Sequence, residues 1–364
     1  MIRPDPDFPT RFAQARDRFL TAARARGARL ESFEHPEGRG VDSEPLAADV
    51  AVLGPPDARD VLLVQSGTHG VEGYCGSGVQ HALLRAGDEL DAALQAGVRV
   101  VMLHAINPWG FSWCRRVTHE GVDLNRNVRA FPVTDGPDPD YDEIHPLLLP
   151  DAYPWPAENA AEIAAFIARR GMAHWQFAMS HGQWSQPDGL FYCGRAPTWS
   201  NATLREVLRR HVRGAARLHW IDLHTGLGPT GHGEMIYAGR DNPADLARSR
   251  DCWGPEVTSI YDGSSTSARI EGMVGSAFYE ECDGTSLAAI ALEYGTVPLD
   301  GVADALRLDH WVAARAPRDA TLRALARERM LAAFFVDTDT WKADVLTQGR
   351  DAFTKAVTAF RTPG

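Results

Sequence analysis

A chain of 364 residues, 44% hydrophobic and 23% charged, has the composition of an ordinary globular protein and is long enough to bury a large core without covalent staples. Its formal charge of −11, from 37 basic and 48 acidic residues, excludes the basic footprint that nucleic-acid binding requires. Five scattered cysteines with no Cys-x-x-Cys pair exclude a disulfide framework or thiolate zinc cluster, and no run reaches the roughly eighteen apolar residues of a membrane helix, so a reducing, cytoplasmic location is expected.

The N-terminal residues Met1 to Phe8 lack the apolar core of a signal peptide. From Thr10 to Leu30, Phe12, Ala15, Phe19, Leu20 and Ala23 recur at helical period, which predicts an amphipathic helix on the outside of a sheet. Ala48 to Leu53 and Val61 to Val64 read as strands on either side of a Gly54-Pro55-Pro56-Asp57 turn. A helix over Cys75 to Arg85 and a strand over Val98 to His104 continue the alternation expected of a parallel sheet flanked by helices.

Further strands are predicted at Gln176 to Met179, Leu218 to Leu223, Glu234 to Tyr237 and Ala288 to Leu292. Helices are predicted at Ala157 to Arg170, Asn201 to Val212 and Val302 to Ala314. Phe131 to Pro156 is rich in proline and acid without periodicity and reads as a long surface loop near the site. The arginines around Arg205-Glu206-Val207-Leu208-Arg209-Arg210 read as a solvated helix face. The whole of 1–364 is expected to form one catalytic domain, with helical extensions at 1–47 and 318–364.

The stretch around which the rest is organised is Gly67-Thr68-His69-Gly70-Val71-Glu72-Gly73, directly after the apolar run Val61 to Val64. A divalent metal needs an imidazole and a carboxylate converging on one point, and flanking glycines let the loop fold back so that a His-x-x-Glu pair can do so. Asn107-Pro108-Trp109-Gly110-Phe111, Arg115-Arg116 and Gly121-Val122-Asp123-Leu124-Asn125-Arg126-Asn127 follow. His224 then closes an apolar strand, and Glu293 closes another, in Leu292-Glu293-Tyr294-Gly295-Thr296. In open α/β sheets ligands bind beyond the carboxyl ends of strands, where residues distant in sequence meet.

In this order, from about Val61 to Thr296, these motifs resemble the zinc carboxypeptidase family, the carboxypeptidase A-like metallopeptidases. The long loop, the Leu-Glu-Tyr-Gly-Thr ending and the absence of a pro-segment look more like a bacterial branch than like the digestive enzymes. The resemblance implies a mixed, mostly parallel central sheet with helices on both faces, and one zinc per chain held by His69, Glu72 and His224. It implies Glu293 as the general base toward a metal-activated water, and Arg116, or its neighbour Arg115, as the cation that stabilises the oxyanion. Asn125 and Arg126 match the pair that holds the substrate carboxylate, and Asp123 matches a carboxylate that orients a ligand histidine.

The implied activity is zinc-dependent hydrolysis of an amide bond in a small peptide or acyl-amino acid with a free carboxylate. Alternatives are an N-acyl amino acid deacylase of the aspartoacylase-like type and a non-catalytic binding protein on the same fold. The chain departs from the family where a tyrosine is expected before the catalytic glutamate: Ala268 to Ser276 contains none, and Tyr261 and Tyr279 are the nearest. His181, at the end of the Gln176 stretch, and His104 and His232 read as structural histidines. The tryptophans read chiefly as core packing, with Trp109, Trp113, Trp155 and Trp184 hinting at a pocket wall.

Overall fold

A computed structural model describes residues 2–133 and 136–361. The chain begins with helix α1 (Phe12–Ala25), strands β1 (Arg29–Arg39), β2 (Pro45–Leu53) and β3 (Asp60–Ser66), helices α2 (Gly73–Ala86) and α3 (Asp88–Gln95), and strand β4 (Arg99–His104). Five helices follow: α4 (Pro108–Trp113), α5 (Pro139–Leu148), α6 (Asn159–Arg170), α7 (Met172–Ser180) and α8 (Trp199–His211). Then come β5 (Arg217–Thr225), β6 (Gly233–Tyr237), α9 (Pro243–Trp253), α10 (Ser276–Glu281), β7 (Ser286–Tyr294), α11 (Leu299–Arg315), α12 (Ala320–Phe334) and α13 (Asp339–Ala359).

Apolar runs at period two decide how these pack. Leu62, Val64, Val100, Met102, Ile221, Leu223, Ile290 and Leu292 point to one face, where they meet Phe12 and Phe19 of α1, Val79 and Leu83 of α2, and Val345 and Phe353 of α13. Val61, Leu63, Val101, Leu103, Leu218, Trp220, Leu287 and Ala289 point to the other, against Leu204 and Leu208 of α8 and Phe278 of α10. Each fully buried aliphatic side chain contributes roughly 1.5–3 kcal/mol. Among the described residues the sheet is seven-stranded in the order β1-β2-β4-β3-β5-β7-β6. Strands β4, β3, β5 and β7 are parallel, while β2 and β6 run against their neighbours. This is the mixed α/β architecture expected from the sequence, and it gathers the ends of β3, β4, β5 and β7 along one edge.

Several expectations need correction. The first helix stops at Ala25 because Gly27 takes a left-handed conformation (φ +72°), and the chain then extends into β1, which pairs with β2. Residues 1–47 therefore supply an edge strand and the start of β2 as well as a helix. Gln176 to Met179 is not a strand but lies in α7, which buries Trp175 and Ala178, three residues apart, and leaves Met172 and Phe177 exposed. The stretch Phe131 to Pro156 holds α5, capped by Asp138 and burying Tyr141, Ile144 and Leu148 at helical spacing. Thr134 and Asp135 of that stretch, Met1, and residues 362–364 lie outside the described residues. Arg205, Arg209 and Arg213 are more than a solvated face, since all three pair with the buried Glu281 of α10. The five cysteines are free and buried, and among the described residues no helix is long and apolar enough to cross a membrane.

Candidate metal centre and its cleft

The loop after β3 is shaped by two close approaches. Gly67 adopts φ +68°, and a Cβ there would stand 2.8 Å from that of Ala105. Gly70 lies against the backbone of Gly110, where a Cβ would come within 2.0 Å of the carbonyl carbon. The Asn-Pro-x-Gly-Phe motif builds that platform: Asn107 caps α4 by accepting from Gly110 N–H (2.9 Å), and Phe111 fills the space over Gly73. The turn is then stitched to the next segment, with Gly70 N–H donating to Arg116 O (3.1 Å) and Val71 N–H to Arg115 O (2.9 Å). Gly70→Ala is expected to cost about 1–3 kcal/mol or more in urea denaturation, because the methyl meets backbone on the other side and nothing flexible can yield.

This turn, with β5, brings three side chains together. His69 Nδ1 lies 2.8 Å from Glu72 Oε1, His224 Nδ1 lies 3.0 Å from Glu72 Oε2, and the two Nδ1 atoms are 3.2 Å apart. All three residues are buried, and Thr225 N–H donates to Glu72 Oε2 (3.1 Å). Among the described residues they form a group of metal-ligand type, with donor atoms within 4.8 Å of one another. Burial alone would raise the Glu72 carboxyl, but His69 and His224 outweigh it and hold the group well below the usual carboxylate range. Burial would lower the His224 imidazole, and Asp222 and Glu72 on either side raise it instead.

The donor set suits a divalent cation. Three converging lone-pair groups repel one another unless a positive charge sits among them, and a divalent cation between His69, Glu72 and His224 would supply it. Each imidazole is also backed by a carboxylate. His224 Nε2 is 2.8 Å from Asp222 Oδ2, and Asp222 is held by Thr68 Oγ1 (2.9 and 3.0 Å), itself fixed by Gln65 Nε2 (2.7 Å). His69 Nε2 is 3.4 Å from Asp123 Oδ1. Arg116 Nη2 stands 2.7 Å from the same His69 Nε2, and its Nε donates to Asp123 Oδ2 (2.8 Å). The two contacts on Nε2 require opposite tautomers, and ligation of a metal through Nδ1 would select the one in which Nε2 carries the proton toward Asp123.

Glu293 sits opposite His224 in the β5–β7 register and accepts from Leu227 N–H through Oε1 (3.0 Å). Burial raises its carboxyl to about 7, with Glu72 adding to the rise and His224 opposing it. Arg126 is buried, with Nε donating to Ser180 O (2.8 Å) and Nη1 to Asn125 O (2.9 Å). Asn125 Oδ1 accepts from Val274 N–H (3.0 Å). Burial draws the Arg126 guanidinium down to about 10, against the pull of Asp123. His69, Arg116, Asn125, Arg126, His224 and Glu293 all line one cleft.

Of the residues singled out in the sequence, Arg115 turns away from this cleft and pairs with Asp309 (2.9 Å) beside Trp109. None of Trp109, Trp113, Trp155 and Trp184 lines it; Trp109 stacks on Trp113, and Trp155 packs on Tyr153. The aromatic wall is instead Phe191, Tyr237 and Phe334. Tyr261 and Tyr279 bond to Gly239 O and Asp245, away from the lining. His181 pairs with Asp138 (2.9 Å), His104 with Ser77 (2.9 Å), and burial takes His104 down to about 4; His232 is exposed.

Two features escaped the sequence reading. Asp222 stands two residues before His224 on a strand, so period two puts both on one face, and that was the available signal. Phe191 carries the Arg116 and Arg126 guanidinium groups over its ring at 5.1 and 5.2 Å, with φ +54°. Nothing in its local sequence marks it.

No curated protein matches the chain. Similar solved structures include carboxypeptidase A from Helicoverpa armigera, at 14% identity over 91% of this chain and 75% of that one, TM-score 0.47. The murein-tripeptide amidase MpaA from Escherichia coli O157 is similar at 16% identity over 90% and 97%, TM-score 0.34. A metallo-carboxypeptidase from Pseudomonas aeruginosa is similar at 15% identity over 92% and 68%, TM-score 0.39. Residues 8–348 match the family described as "Protein of unknown function (DUF2817)", and with nearly the whole chain inside that match, the protein belongs to it.

Proposed function

We propose that the chain is a zinc-dependent hydrolase that cleaves an amide bond in a small substrate with a free carboxylate. The observation that carries this is the convergence of His69 Nδ1, His224 Nδ1 and the buried Glu72 at the carboxyl edge of the sheet, with both histidines lining one cleft with an acid and a cation. When bound there, zinc supplies Lewis-acid activation of water and of the scissile carbonyl.

The chain's own residues do the rest. Asp123 and Asp222 hold the two imidazoles with Nδ1 turned inward. Glu293, fixed through Oε1 by Leu227 N–H, keeps its second oxygen for the water proton, and a carboxyl raised toward neutral returns that proton readily to the leaving nitrogen. Arg126 and Asn125 bind the substrate carboxylate. Once His69 Nε2 donates to Asp123, Arg116 loses its bond to that nitrogen and its Nη2 is free to face the oxyanion.

Two outcomes are expected. Protein purified without added metal carries about one zinc per chain, hydrolyses carboxylate-bearing amides, loses that activity to a chelator and regains it with zinc; a zinc-loaded protein inert toward every such amide would leave the binding-protein reading in its place. Asp222→Ala weakens zinc binding by roughly 10- to 100-fold in competition with a chromophoric chelator. Thr68→Val has a smaller effect in the same direction, because it acts only through Asp222.

A further inference from the structure

We infer that the substrate is an N-acylated amino acid whose side chain is apolar and whose acyl group is apolar as well. This rests on the amide-hydrolase reading above and narrows it. The cleft lining has two apolar arms, one beside Asn125 and one beside Glu293, and among the described lining residues its permanent cations are Arg116 and Arg126.

The first arm adjoins the proposed carboxylate site. Ile236, Ile260, Ile270, Met273 and Ala291 pack together there and all line the cleft. The arm is fixed to the segment from Asn125 to Val128 from both sides of Met273. Val274 N–H donates to Asn125 Oδ1 (3.0 Å), and Gly272 O accepts from Val128 N–H (3.0 Å). One acid stands nearby, Glu234, the strand partner of Glu293. It is already satisfied, accepting through Oε1 from Thr258 Oγ1 (2.5 Å) and Thr266 N–H (3.1 Å), and through Oε2 from Thr266 Oγ1. A lysine or aspartate side chain entering this arm would lose its water and gain no partner, whereas a leucine or phenylalanine side chain would gain apolar contact.

The second arm opens beside the base. A Cβ on Gly226 would stand 3.1 Å from the Phe334 ring and 3.6 Å from Glu293 Oε1, so that ring flanks the carboxylate. Leu227, Leu299, Val302 and Leu306 continue the wall, and Leu299 remains 46% exposed. Among the described lining residues the carboxylates in reach are Asp222, taken up by Thr68 and His224, and Glu293, which must stay free to accept a proton. The free α-ammonium of a dipeptide would have no partner here. Acylation of the nitrogen removes that charge, and an apolar acyl chain matches the wall. In the reaction the water oxygen bonds to the acyl carbon, the C–N bond breaks, and the water proton passes through Glu293 to the nitrogen, giving a carboxylic acid and the free amino acid.

The test is a kcat/KM panel on the zinc-loaded protein: N-octanoyl-leucine and N-octanoyl-phenylalanine against N-octanoyl-aspartate, N-octanoyl-lysine and the free dipeptides Leu-Leu and Leu-Phe. Calorimetric binding of the same compounds to the metal-free protein is read alongside. The first pair is expected to lead by roughly 100-fold in kcat/KM, the scale on which an apolar pocket discriminates, with binding in the same order. Equal or better turnover of the charged acyl-amino acids or of the free dipeptides would overturn this inference while leaving the amide-hydrolase reading standing. No turnover of any compound would overturn both. Leu299→Asp, on an exposed position at the start of α11, is expected to narrow the gap between Leu-Leu and N-octanoyl-leucine about tenfold; an unchanged ratio would remove the acyl chain from this arm.

Discussion

Glu293→Gln is expected to bind zinc as the wild type does and to lose turnover by roughly 10²- to 10⁴-fold, the range over which a positioned general base contributes. The substitution is nearly isosteric, and its amide oxygen can still accept from Leu227 N–H, so the loop after β5 keeps its anchor. The converging donors are His69, Glu72 and His224, and none is altered. What disappears is the capacity to take a proton, in a residue that burial and the Glu72 charge already push to about 7. Metal analysis and single-turnover rates on the same preparation separate the two effects. Turnover within tenfold of wild type, with zinc bound, would remove Glu293 from the proton path.

Legibility in the sequence followed physical contrast. Strands β3 and β4 were readable because they are buried almost throughout and therefore nearly continuous in apolar residues, and glycines bounded the His69 turn that follows β3. His69, Glu72 and His224 stood near the ends of apolar runs, but it was the family resemblance that grouped them as ligands, and the structure brings their donor atoms together. The edge strand β1 was not, since its outer side meets water and its sequence, with Pro36 and Gly38, carries no apolar alternation. Prolines at 139 and 146 concealed α5, although the first stands where a helix tolerates it. Gln176 to Met179 was too short for period to decide between strand and helix. Arg115 and Arg116 could not be separated by pattern, because adjacent residues point apart and only the tertiary fold decides which meets Asp123 and which meets Asp309.

His69→Ala is expected to lose zinc during purification, with the fold intact. Removing an outer partner of a metal site costs about 10- to 100-fold in affinity, so removing a donor itself should cost more than Asp123→Asn or Asp222→Ala. The decisive reading is thermal. A ligand that binds only the folded state stabilises it by about 2.7 kcal/mol at one hundred times its dissociation constant, so a chelator should lower the wild-type melting temperature. In His69→Ala the chelator has nothing to remove, and its addition should leave the melting temperature where it was. The variant also takes a hydrogen-bond partner from the buried Glu72 carboxylate, so its metal-free form should be no more stable than the metal-free wild type. A His69→Ala protein that kept zinc and still responded to chelator would place the metal elsewhere. A wild type that took up no zinc on incubation would mean that the three side chains meet for the sake of the fold, with protonated His224 between Glu72 and Asp222 supplying the positive charge that the cluster requires.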